Sequence, residues 1–211
     1  MQLSRRHVMV GATALVGTVA AARAQLLVPT SSQDLGPFYP VLRPSDSDAD
    51  LTRIRGARGP AQGIPINVVG RVLDRRGNPV RGATIELWQA NAVGRYDHPG
   101  DTQSTAALDP NFQGYARLAT DRDGNFKFRT IKPGAYKIPG DMRTPHIHLD
   151  IKGRSERLVT QMYFPGEALN DSDLLLKNAS PKESVIARAV ERLSGDPGAA
   201  AYAWDVVLAL G

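Results

Sequence analysis

The feature that most constrains this chain is a series of short, β-branched, alternating runs, each closed by glycine, proline or an Asp-Gly turn. Ile66-Asn67-Val68-Val69-Gly70-Arg71-Val72-Leu73 is rich in residues that favour a pleated strand, and Asp74-Arg75-Arg76-Gly77-Asn78-Pro79 ends it. Ala83-Thr84-Ile85-Glu86-Leu87-Trp88 is a second strand, with Ile85 and Leu87 on one face and Thr84, Glu86 and Trp88 on the other. Asp121-Arg122-Asp123-Gly124-Asn125 is a hairpin signal ahead of Phe126-Lys127-Phe128-Arg129-Thr130. Thr144–Ile151 and Arg157–Phe164 are two more strands, and Trp204–Leu210 is a closing one. With 20 glycines and 15 prolines in 211 residues, the chain favours turns over long helices. The expectation is one all-β domain, a sandwich or a barrel. Only residues 182–194 carry a helical pattern.

The ends of the chain read differently. Residues 1–24 carry Ser4-Arg5-Arg6, an apolar stretch from Val8 to Ala22, and Ala22-Arg23-Ala24 at a position suited to signal peptidase. They are expected to be a twin-arginine-type signal, cleaved before Gln25, with a periplasmic destination. The apolar stretch is shorter than the ~18–20 residues of a span, so no stable membrane segment is expected after cleavage. Residues 25–63, rich in Pro, Gly, Ser and Asp, read as an extended arm, and residues 64–211 as the β domain.

The formal net charge is +5, and removing Arg5, Arg6 and Arg23 with the leader leaves 5 − 3 = +2. Without a Lys/Arg-rich block, that balance argues against nucleic acid as a partner. There are no cysteines, so disulfides and thiolate metal sites are excluded.

His146-Ile147-His148 lies in a predicted strand, where residues two apart share a face, so two imidazoles project side by side. That pair suits a shared metal, although two polar residues on a half-exposed strand would look the same. The remaining histidines are His7, in the leader, and His98. Tyr96 and Tyr136 lie in turn-rich segments beside strands. A phenol ionises near pH 10, so it ligates a hard, highly charged cation; iron(III) suits this better than zinc or magnesium.

Several separated motifs carry a resemblance. Gly36-Pro37-Phe38-Tyr39-Pro40, Trp88-Gln89-Ala90-Asn91 with Gly94-Arg95-Tyr96, Pro133-Gly134-Ala135-Tyr136, Arg143-Thr144-Pro145-His146-Ile147-His148 and Leu158–Phe164 resemble the intradiol ring-cleavage dioxygenases, closest in pattern to the protocatechuate branch. The resemblance spans roughly residues 34 to 167 in the family's order. It implies an antiparallel β-sandwich with long loops, the N-terminal arm and a short C-terminal helix, and makes residues 64–211 the catalytic domain.

It further implies non-haem iron(III) held by Tyr96, Tyr136, His146 and His148, with Tyr96 and His146 equatorial and Tyr136 and His148 axial. Catechol-type substrates and O2 are the implied partners. Tyr136 is then the ligand that substrate displaces, Arg143 stabilises charge developing on the substrate, and Gln161 lies near it. Tyr39 and Ile138 are expected at the substrate pocket. The segment Lys137–Met142 is short and lacks a tryptophan usual in the protocatechuate branch, and the chain has no room for the helical dimerisation segment of enzymes acting on plain catechol. A homo-oligomer is compatible with the family. Two other readings compete: a secreted β-sandwich binding module without catalytic metal, and a zinc hydrolase using His98, His146 and His148.

Overall fold

The computed structural model describes residues 25–211, so the expected signal segment lies outside the described residues. The described residues form eleven strands: β1 (Pro65–Asp74), β2 (Thr84–Trp88), β3 (Tyr115–Ala119), β4 (Asn125–Ile131), β5 (Tyr136–Ile138), β6 (Asp141–Arg143), β7 (His146–Lys152), β8 (Arg157–Tyr163), β9 (Arg188–Val190), β10 (Ala200–Ala203) and β11 (Val206–Leu208). One sheet runs β11-β1-β10-β9 with β4 on the other edge of β1. The second runs β3-β2-β7-β8, antiparallel throughout. The hairpin β5–β6 stands apart. The architecture is the expected sandwich, with one departure from antiparallel pairing: β1 runs parallel to β10 and β11.

The two sheets face each other across the main core. Val68, Val72, Phe126 and Phe128 from the first meet Ile85, Leu87, Ile147, Leu149, Ile151 and Met162 from the second. Strand alternation then sends Glu86, Trp88, His146, His148, Asp150, Gln161 and Tyr163 to the opposite face of the second sheet. That face would ordinarily meet water. Here these side chains are nonetheless buried. The arm covers part of this face: the Gln33 amide donates to Val159 O (2.8 Å), and Leu35, Phe38 and Tyr39 pack against Trp88, Tyr96 and Tyr136. The site therefore lies between the second sheet and its covering segments, not in the sandwich core.

The helix expected at 182–194 is not there. Lys182–Val185 forms one 3-10 turn, and Arg188–Val190 is the edge strand β9. Val185 and Ala187 are buried while Ile186 is only partly so and Arg188 is exposed, which is a period of two. β-branched Val185, Ile186 and Val190 lose rotamer freedom in a helix; the edge of β10 offers backbone partners to Arg188–Val190, and Ile186 bridges to Tyr163. The short helix is α1 (Leu174–Asn178), upstream, with Asp173 as its N-cap. No helix among the described residues is long and apolar enough to cross a membrane.

Candidate active site

Each candidate ligand is placed by a distinct local device. β7 presents His146 and His148 on one face, and register sets Trp88 and Gln161 beside His148 and Tyr163 beside His146. Tyr96 lies in a loop organised by Asn91. The Asn91 side chain accepts from the amides of Val93 (3.0 Å) and Arg95 (2.9 Å) and donates to Ala107 O (2.9 Å). Arg95 anchors the loop through Ser104 O (2.6 Å) and Ala106 O (2.9 Å), and Asp101 accepts from the Tyr96 amide (2.8 Å).

Gly94 lets this loop touch the one that carries Tyr136. Its φ is +80°, and a Cβ there would fall 2.2 Å from Ala135 O. Only glycine allows that approach. The Gly134 amide then donates to Asn91 O (2.9 Å), joining the two tyrosine loops.

Three donor atoms converge. Tyr136 Oη lies 3.3 Å from His146 Nε2, and His146 Nε2 lies 3.2 Å from His148 Nε2. Metal bonds of about 2.0–2.1 Å at about 90–110° separate ligand atoms by about 2.8–3.4 Å, so these spacings suit donors sharing one cation. The fourth, Tyr96, meets Tyr136 edge-to-face at 5.2 Å between ring centroids and lies 6.4 Å from the His148 ring. Its buried hydroxyl has no hydrogen-bond partner, an unusual state for a phenol and one that a cation would relieve.

Thr144 O sits 2.6 Å from His146 Nδ1. That carbonyl can only accept, so Nδ1 carries the proton and Nε2 keeps its lone pair for a metal. Burial, with Arg143 adding, holds the His146 imidazole well below its ordinary pKa; burial and then His146 do the same for His148. Burial pushes both phenols up, with Arg143 opposing the rise at Tyr136. The resting site thus offers neutral imidazoles, and phenols that give up their protons only to a strong cation. Two imidazoles and two phenols, without a thiol or carboxylate, form a donor set that fits iron(III).

Beside these atoms lies a cleft of about 570 Å³. Tyr136, Arg143, Ile138, Phe38, Leu174 and Leu175 are among its lining residues. Of the four candidate ligands, Tyr136 alone lines it. Arg143 is buried; its Nε donates to Asp173 (2.8 Å), and its Nη2 to Gln161 Oε1 (2.7 Å) and Tyr163 Oη (3.2 Å). Gln161 is fully buried and serves Arg143 rather than lining the cleft.

Tyr39, expected at the pocket, does not line the cleft; its neighbour Phe38 does. The Tyr39 hydroxyl is drawn to buried Glu86 (2.5 Å), and its ring meets Trp88 edge-on at 5.0 Å. His98 does not join the histidine pair, and among the described residues no three His, Asp or Glu side chains gather as a metal site, which removes the zinc-hydrolase reading. The residue of this site that sequence reasoning missed is Asp173, fully buried against Arg143.

A β-sandwich with a cleft beside two buried imidazoles and two buried phenols defines a class of site in which nitrogen and oxygen donors face one point. Comparison with known proteins narrows it. A family model described as Dioxygenase matches residues 35–210. The chain is 42% identical over 184 residues to the protocatechuate 3,4-dioxygenase beta chain of Burkholderia cepacia, covering 84% of this chain and 74% of that one. It is 30% identical over 195 residues to the protocatechuate 3,4-dioxygenase alpha chain of Pseudomonas putida, covering 86% and 92%. Against 6-chlorohydroxyquinol 1,2-dioxygenase of Cupriavidus pinatubonensis, 38% identical over 128 residues, it spans 44% of the relative's length. Among solved structures, the dioxygenase domain of a carbohydrate-binding fusion from Streptomyces sp. SirexAA-E aligns with TM-score 0.65 at 29% identity, covering 87% of this chain and all of that one. The chain belongs to the intradiol ring-cleavage dioxygenase family, and it is an enzyme of that class.

Proposed function

We propose that this protein cleaves a catechol-type ring between its two hydroxylated carbons, with both atoms of O2 entering the product, a cis,cis-muconate-type diacid. Tyr96, Tyr136, His146 and His148 would hold one iron(III). When bound, iron(III) supplies the Lewis acidity that lowers the pKa of both catechol hydroxyls and opens the ring to oxygen. The observation that carries this reading is the convergence of Tyr136 Oη, His146 Nε2 and His148 Nε2 within 3.3 Å contacts beside a cleft that Tyr136 and Arg143 line.

The chain's own residues divide the remaining work. A ring arriving through the cleft would meet Tyr136 first, which supports Tyr136 as the residue whose Oη would take a catechol proton. Phe38, Ile138, Leu174 and Leu175 provide apolar contacts and exclude water. Arg143 stabilises negative charge on the substrate oxygens. The leader motif supports export through the twin-arginine route as part of the same proposal.

The iron-loaded protein is expected to show a broad visible tyrosinate-to-iron(III) absorption that shifts in Tyr96→Phe, and to consume oxygen with at least one member of a catechol panel. Colourless protein that retains no iron and takes up no oxygen would overturn the proposal.

A further inference from the structure

Asp173 lies outside every motif described above. Its side chain is fully buried and takes three hydrogen bonds. Oδ2 accepts from Arg143 Nε (2.8 Å) and from the Thr144 amide (2.9 Å), and Oδ1 accepts from the Leu176 amide (2.9 Å), capping α1. These bonds join three parts of the site. Thr144 is the residue whose carbonyl fixes the His146 tautomer. α1 begins with Leu174 and Leu175, both in the cleft wall. Arg143 is a cation of the cleft, paired across β5–β6 with Tyr136.

Guanidinium geometry makes the Arg143 contact directional. The group is a planar fork, so fixing two of its nitrogens fixes the third. Nε is held by Asp173, and Nη2 by Gln161 and Tyr163. Nη1 has no hydrogen-bond partner among the described residues, and Arg143 lines the cleft. The two side chains are 4% and 0% exposed, so the pair is shielded from water and its loss would leave a buried cation uncompensated. Resting on the ring-cleavage reading, we propose that Asp173 is a positioning residue: it presents Arg143 Nη1 to the substrate oxygens and seats the α1 wall of the cleft against the strand that leads to His146.

The alternative is a helix cap with no part in the reaction. Asp173→Ser separates the two, because serine still caps a helix but cannot pair with Arg143. Asp173→Asn keeps the shape and removes the charge. Leu208→Ala, in the sandwich core and outside the cleft wall, is the stability control. In the iron-loaded enzyme, both Asp173 variants are expected to lose kcat by about 10- to 100-fold with KM altered far less, the scale of lost support behind a catalytic shell.

In metal-free protein, the Arg143 Nε–H resonance is expected to be protected from exchange, and to lose that protection in both variants. Leu208→Ala should keep kcat and the protected resonance at a comparable loss of thermal stability. Wild-type kcat in Asp173→Ser, or an equal kcat loss in Leu208→Ala, overturns the positioning role while leaving the ring-cleavage reading intact. Wild-type enzyme that takes up no oxygen with any catechol overturns that reading, and this proposal with it. If Asp173→Asn does not fold, Asp173→Ser alone decides.

Discussion

The indole of Trp88 lies flat on the imidazole of His148, with ring centroids 5.0 Å apart and planes 10° apart. Cross-strand register between β2 and β7 puts them there. Adjacent aromatic rings on one sheet face gain from stacking beyond the area they bury. The arrangement also limits how far the His148 ring can turn. Replacing Trp88 with alanine is expected to cost about 3–5 kcal/mol of stability, the range for a large buried aromatic. It should also lower iron retention through a loosened His148. Trp88→Phe should recover most of both. Chemical denaturation and iron content per chain check the pair of outcomes; iron retention unchanged in Trp88→Ala would refute the link to His148.

The arm also closes on the same imidazole. Gly36 has φ of +76°, and a Cβ on it would fall 2.9 Å from His148 Cε1. Gly36→Ala therefore meets two penalties: a left-handed backbone costing about 1–2 kcal/mol, and a contact relieved only if the arm lifts or the imidazole shifts. The expected result is a stability loss of that order, with faster proteolysis within residues 25–40 and weaker iron retention. Limited proteolysis with mass spectrometry reads the arm directly, and an unchanged digestion pattern would show that the arm does not depend on this contact.

How much of this was legible follows from the range of each interaction. Period-two alternation in β2 and β7 was visible because it is local: Ile85 and Leu87 face the core, and His146 and His148 share the other face. Three-residue β5 and β6 were not visible, since a strand that short carries no periodicity. The helical pattern at 182–194 misled because the edge of β10, which holds Arg188–Val190 extended, is supplied by residues further along the chain. The tyrosines gained meaning from family motifs, not from their own surroundings in sequence. Asp173 was invisible for a related reason. In Leu169-Asn170-Asp171-Ser172-Asp173 it looks like any solvated loop acid, and its partner Arg143 is 30 residues away.

The two buried imidazoles also set how the metal-free protein responds to acid. Both have pKa values well below the ordinary 6.5, mainly through burial. In the unfolded chain they titrate near the ordinary value, so below about pH 6.5 the unfolded state binds more protons than the folded one. Stability is therefore greatest above that pH and falls as pH drops, continuing toward the depressed folded values. Each imidazole contributes a slope of at most about 1.4 kcal/mol per pH unit in that window. Urea midpoints of metal-free protein are expected to decline between pH 7 and pH 5, above the range where most carboxylates titrate. The double variant His146→Gln/His148→Gln should be less stable at pH 7 and show a much flatter profile. Equal slopes in the two proteins would mean that the imidazoles already take up protons in the folded state, against the burial that depresses them.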